Sequence, residues 1–204
     1  MAAYATLMDL EIASARVVAA LSEGADLRLK IGRENGPAIV KAAVLIANCL
    51  QSGSKVLLFG NGGSAADAQH LAAEFVGRFV RERAGLPAIA LTTDSSILTA
   101  VGNDYGFEQV FSRQIQALGR SNDVAIGIST SGNSPNVLAG LKQASKQNLK
   151  TIGLTGKDGG AIATCVDLSV TVACANTARI QECHITIGHI LCELVETELS
   201  DSSR

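Results

Sequence analysis

The stretch KVLLFGNGGSAADAQHLAAEF, from Lys55 to Phe75, runs from an apolar segment through a glycine-rich turn into a helical pattern. Lys55 to Gly60 has the length and composition of a buried strand, the glycines permit a sharp turn, and a helix opens at Ala65-Ala66-Asp67. The same alternation of short apolar runs and helical segments continues to the end of the chain. Strands are expected at Ala88 to Leu91, Val124 to Ser129, Thr151 to Thr155 and Leu168 to Val172. Alternation of this kind is the signature of βαβ units, so the sequence predicts an α/β fold: a doubly wound, five-stranded parallel sheet with right-handed crossovers. In such sheets the ligand crevice lies at the carboxyl ends of the strands, where the strand order reverses.

Two helical patterns precede the first strand, from Tyr4 to Leu21 and from Pro37 to Gln51, joined by a polar stretch that contains glycine. Residues 1–54 are therefore expected to be helices belonging to the same domain as residues 55–200. Such a helical prefix either covers one face of the sheet or pairs with its copy in another subunit; the narrow stripe Ala38, Ala42, Leu45, Ile46 and Cys49 suits close helix packing and favours an oligomer. The tail from Asp201 to Arg204 is expected to be disordered.

Hydrophobic residues make up 47% of the chain and aromatics only 3%, so Ala, Val, Ile and Leu must build the core, as helices packed on a parallel sheet require. A formal net charge of -2 argues against a general electrostatic grip on nucleic acid. The start, with Asp9 and Glu11, does not read as a signal peptide, and no run is apolar enough to span a bilayer. The five cysteines (Cys49, Cys165, Cys174, Cys183, Cys192) show no CxxC spacing, so reduced, mostly buried thiols in a cytoplasmic protein are expected.

Two loops could hold an anion. Gly60-Asn61-Gly62-Gly63-Ser64 offers amides at a helix start, but the dinucleotide fingerprint fails because Ala65 stands where its third glycine belongs. Ser129-Thr130-Ser131-Gly132-Asn133-Ser134-Pro135-Asn136 is the better candidate. Ser134 is placed as N-cap and Pro135 as first helical residue, so free amides and four hydroxyls can converge on a phosphate monoester. A single capping serine would only satisfy its own backbone; a cluster of this density at the end of a central strand points to a ligand.

All three histidines lie on two helices. The first carries Asp67, His70 and Glu74, and the four-residue step puts His70 and Glu74 on one face, a spacing shared by metal pairs and acid–base pairs. The second opens Arg179-Ile180-Gln181-Glu182-Cys183-His184 and continues to His189. Periodicity favours Glu182 over Gln181 as the partner of His189, because seven residues is close to two turns. Spacing leaves that choice open.

Taken together, GNGGSAADAQHLAAEF, NDYGFEQVFSRQI, ISTSGNSPNV and RIQECHITIGHILCELVE resemble, in order, segments of the sugar isomerase (SIS) domain family, over Lys55 to Glu196. The resemblance implies a flavodoxin-like sheet and a homotetramer converting sedoheptulose 7-phosphate to D-glycero-D-manno-heptose 7-phosphate, the first step towards the heptose of the lipopolysaccharide core. It implies that Ser129, Thr130, Ser131 and Ser134 hold the phosphate. Asn61, Gly62, Gly63, Ser64, Asn103, Asp104, Glu74 and Gln181 would contact the sugar, with Glu74 and His189 as acid–base residues. In members with zinc, one ion per subunit, the ligands correspond to His70, Glu74, Gln181 and His189; the resemblance, not spacing, selects Gln181.

The chemistry suits these residue types, since moving a proton between C1 and C2 through an enediol needs a carboxylate base and a second acid–base group. Two other readings share the fold: an adaptor that binds the bacterial replication initiator, and a sugar-phosphate-sensing module. The adaptor is expected to lack the helical glutamate, whereas this chain keeps His70, Glu74, Gln181 and His189 together.

Overall fold

The computed structural model describes residues 9–201. The start of the first expected helix, residues 4–8, and residues 202–204 of the expected tail lie outside the described residues; Asp201 is the last residue of a helix rather than part of a tail.

Where the sequence predicts two helices, one continuous helix α1 spans Leu10–Gln51. Asp9 caps it, its Oδ1 accepting from the amides of Glu11 and Ile12. Pro37 sits inside it. An interior proline costs about 3 kcal/mol, but burying an Ile or Leu side chain returns about 1.5–3 kcal/mol, and Ile31, Ile39, Ile46 and Leu50 are all buried along this helix. The linking stretch looked like a break because only Gly24, Leu27 and Ile31 continue the inward stripe through it. The stripe expected to meet another copy is used within the chain. Ala42, Ile46 and Cys49 lie in its own core, with Ala38 and Leu45 packed against them.

After α1 the order is β1 (Val56–Gly60), α2 (Gly63–Val76), β2 (Ala88–Ala90), α3 (Ser95–Tyr105), a 3-10 turn (Phe107–Gln109) and α4 (Val110–Leu118). Then come β3 (Val124–Ser129), α5 (Pro135–Lys146), β4 (Lys150–Gly156), α6 (Gly160–Ala163), β5 (Leu168–Val172) and α7 (Thr177–Asp201). The five strands are all parallel, in the order β2-β1-β3-β4-β5. This is the doubly wound arrangement the sequence predicts, with the reversal of order between β1 and β3.

Alternate strand residues feed two cores, as the period of a strand demands. Val56, Leu58, Ile126 and Ile128 pack under α1, α2 and α7. Leu57, Phe59 and Ala125 face α4 and α5 on the other side. Among the described residues no helix is long and apolar enough to cross a membrane.

Candidate active site

The crevice opens where β1 and β3, paired from Val56↔Val124 to Gly60↔Ile128, release their loops side by side. Gly60 is required at the turn: a Cβ there would lie 2.8 Å from the Ile128 carbonyl oxygen and 2.8 Å from Ser64 Cβ. The Asn61 and Asn136 side chains exchange two amide hydrogen bonds of 2.8 Å, tying the first loop to the serine loop. A cavity of about 300 Å³ opens beside this bridge, lined by Asn61, Phe107, Glu108, Ser134, Pro135 and Asn136. Gly62 and Gly63, next in the first loop, are exposed, and Ser64 is buried.

In the serine loop the Ser129 hydroxyl, buried at the end of β3, lies 2.8 Å from Ser134 Oγ and 3.3 Å from Ser131 Oγ. Ser131 Oγ also accepts from the Asn133 amide. Thr130 is half-buried beside them, its hydroxyl unbonded among the described residues. Ser134 does occupy the N-cap position and Pro135 does begin α5, but the expected capping bond is not made. Its hydroxyl turns to Ser129 instead, because the strand end brings a closer partner than the helix amides. Gly132 fixes the loop's shape, with φ +68 and a backbone so near its neighbour that a Cβ would fall 2.3 Å from the Gly159 carbonyl oxygen.

The second cluster comes from α2 and α7. His70 Nε2 lies 2.9 Å from His189 Nε2 and 3.3 Å from Glu74 Oε1, so His70 stands between the other two. The imidazole rings meet edge to face at 5.1 Å, and Phe79 covers the His189 ring at 5.6 Å. Between two imidazoles at this distance one nitrogen donates and the other accepts, so the pair can relay a proton. Among the described residues no three His, Cys, Asp or Glu side chains converge on one point as a ready metal cage.

Gln181 and Glu182, left open by spacing, point to opposite sides. Gln181 Nε2 donates to Asp67 Oδ1 at 2.6 Å, and its side chain packs over Gly63 at the mouth of the first loop. Glu182 faces α1, paired with Arg179 and lying against Gly24. Packing against α1, which covers the Glu182 side of α7, decides which of the two meets the first loop.

Asn103 and Asp104 make no hydrogen bond to either cluster among the described residues. They bond to each other at 2.8 Å on the exposed last turn of α3.

Three participants carried no role in the sequence reading. Asp67 is buried, its Oδ2 without a partner among the described residues, and burial pushes its carboxyl above the ordinary range against the bond from Gln181 and the charges of the two histidines. Its position three residues before His70 is the one signal that could have marked it. Asn136, at the first turn after Pro135, bridges the loops. Glu196 accepts from the backbone amides of Phe79, Val80 and Arg81 and from Arg83. Burial raises its pKa, but those bonds outweigh it and hold the carboxylate below its usual range. The third histidine, His184, is fully buried, with Nε2 2.9 Å from the Thr155 carbonyl oxygen.

A parallel sheet whose switch point carries a hydroxyl-rich loop, with histidines and a carboxylate on the adjoining helices, places the chain in the α/β class with a crevice at the carboxyl ends of its strands. The SIS domain model matches residues 21–156, and the chain belongs to that family. Within it the relatives are phosphoheptose isomerases. That of Geotalea daltonii is 60% identical over 174 residues, which span 85% of this chain and 91% of the relative. That of Aquifex aeolicus is 58% identical over 181 residues, 89% of this chain and 95% of the relative. Among solved structures, phosphoheptose isomerase GmhA from Neisseria gonorrhoeae superimposes with a TM-score of 0.86 at 46% identity, covering 90% of this chain and 98% of that one.

Proposed function

We propose that this sugar-phosphate isomerase interconverts sedoheptulose 7-phosphate and D-glycero-D-manno-heptose 7-phosphate, and so supplies the heptose of the bacterial cell envelope. The observation that carries the reading is the juxtaposition of His70, His189 and Glu74 on helices that reach the same crevice as the serine loop. Seven residues of α2 separate Gly63 from His70, about 10 Å along the axis, a separation on the scale of an extended seven-carbon phosphate ester.

The phosphate would be bound by the hydroxyls of Ser129, Ser131 and Ser134, with Thr130 and the Asn136 amide completing the cradle. At the other end, Glu74 takes a proton from C1 of the ketose while O2 gains one from His189, giving an enediol. The O1 proton then leaves to the histidine, and Glu74 returns its proton to C2. Gln181 presents its carbonyl oxygen, since its amide nitrogen is committed to a carboxylate that can only accept. His70, His189 and Glu74 would supply two imidazole nitrogens and a carboxylate, donor types that zinc takes, and Gln181 would add an amide oxygen as a fourth. When bound there, zinc would polarise the carbonyl and stabilise the enediolate.

A homotetramer accords with the apolar side chains that α1 leaves exposed, among them Leu10, Val17, Leu21 and Val44.

The test is incubation with sedoheptulose 7-phosphate in deuterated water, followed by NMR with and without a chelator. Aldoheptose phosphate carrying deuterium at C2 is the expected result, and loss on chelation would assign the metal. Folded protein that binds phosphate but converts nothing overturns the reading.

A further inference from the structure

Glu196 follows His189 by seven residues, so the two share a face of α7 two turns apart. Its side chain is 2% exposed, and four donors converge on it. Oε1 accepts from the Phe79 amide at 3.2 Å and from Arg83 Nε at 3.0 Å; Oε2 accepts from the Val80 and Arg81 amides at 2.9 and 2.8 Å. Arg83 directs its remaining nitrogens to the end of α2, reaching the Glu74 and Phe75 carbonyl oxygens at 2.9 Å each. The backbone fixed between these contacts carries Phe79, whose ring lies on His189 with an interplanar angle of 32°.

A buried ion pair adds little stability beyond an apolar pair of equal volume. What this one does is join three elements at once: the end of α2 with Glu74, the loop after it, and α7 with His189. Resting on the isomerase reading above, we propose that Arg83 and Glu196 are positioning residues, which set the Phe79 ring against His189 and hold Glu74 in register with it. Neither touches the sugar. Their effect reaches the reaction only through the placement of the two acid–base groups.

Glu196→Gln keeps the volume but leaves one acceptor oxygen for four donors. In the full-length protein, kcat is expected to fall by roughly tenfold to a hundredfold, the scale of a misplacement near 1 Å. KM for sedoheptulose 7-phosphate and inhibition by inorganic phosphate should stay within about twofold. The His189 imidazole signals should shift in the NMR spectrum of the folded variant. That signal tests the placement even if the wild type does not turn over this sugar, an outcome that would sink the isomerase reading alone. A folded Glu196→Gln protein with wild-type His189 signals overturns the proposal, as does one whose lowered kcat, at unchanged KM, is fully accounted for by a smaller fraction of folded protein. Should the variant fail to fold, Phe79→Leu decides: shifted His189 signals with lowered kcat support the positioning role, and an unchanged enzyme reduces the pair to a structural clamp.

Discussion

The two ends of the crevice are built in different ways. The end proposed to hold phosphate is local: Ser129, Ser131 and Ser134 fall within one loop, and their mutual bonds span no more than five residues of chain. The acid–base end is remote, pairing His70 with a histidine 119 residues away through helices that meet only because both pack on the same face of the sheet. A local anion site needs little beyond its own turn and the strand that presents it. The remote site needs supports, and it has them in Asp67 beneath Gln181, Phe79 over His189, and the Arg83–Glu196 pair behind both helices. Chemistry that must place two groups on either side of a bond draws on the rigid elements; charge recognition is left to a loop.

This contrast can be broken by experiment. The largest effect should come from Glu74→Gln, which removes the proposed base: turnover of sedoheptulose 7-phosphate is expected to drop by about 10²- to 10⁴-fold while inorganic phosphate still competes for the site. Near-wild-type turnover would dismiss Glu74 as the base and, with it, the division of labour between the two ends.

Next in size is a pH effect on α7 itself. Burial pushes the His184 imidazole down to about 4, against the bond that its Nε2 donates to the Thr155 carbonyl. Its cation is disfavoured in the folded state, so the associated stability is complete above the unfolded value near 6.5 and is lost as pH falls towards 4. The loss should be on the order of 3 kcal/mol. Urea unfolding at pH 7 and pH 4.5, compared with His184→Asn, should show a steeper fall for the wild type. Parallel curves would mean that His184 does not sense pH in this way.

Ser131→Ala probes the local end. Removing one hydrogen bond to a charged group costs about 1.5–3 kcal/mol, so sugar-phosphate affinity should weaken by roughly tenfold to a hundredfold with kcat little altered. Unaltered affinity would take Ser131 out of the phosphate site. The smallest effect belongs to Glu182→Gln. With its carboxylate turned to Arg179 and α1, turnover should stay within about twofold of wild type. A large loss would restore the reading from periodicity, which favoured Glu182.

How much of this was legible differs along the same line. The five strands read as written because each is a short apolar run bounded by turn residues, and their alternation with helices leaves few topologies open. The serine loop was legible for the same local reason, although the bond from Ser134 to Ser129 rather than to the helix amides was not. The polar stretch before Pro37 hid a continuous helix, because packing on the sheet and against α7 outweighs the local cost of Gly36 and Pro37. Glu196 looked like any charged residue near a helix end until the loop from Phe79 to Arg83 folded onto it.

By itself, then, the sequence determined the strands, the glycine turn, the hydroxyl cluster, and the pairing of His70 with Glu74 on one helical face, all features set by neighbours along the chain. Tertiary structure alone decided which face of α7 meets the crevice, that Gln181 rather than Glu182 lies there, and which buried charges hold Glu74 and His189 together. A helix repeats every 3.6 residues whatever it packs against, so its own spacing says which residues share a face but not where that face points. The orientation is set by burial against α1 and the sheet, contacts spanning well over a hundred residues of sequence.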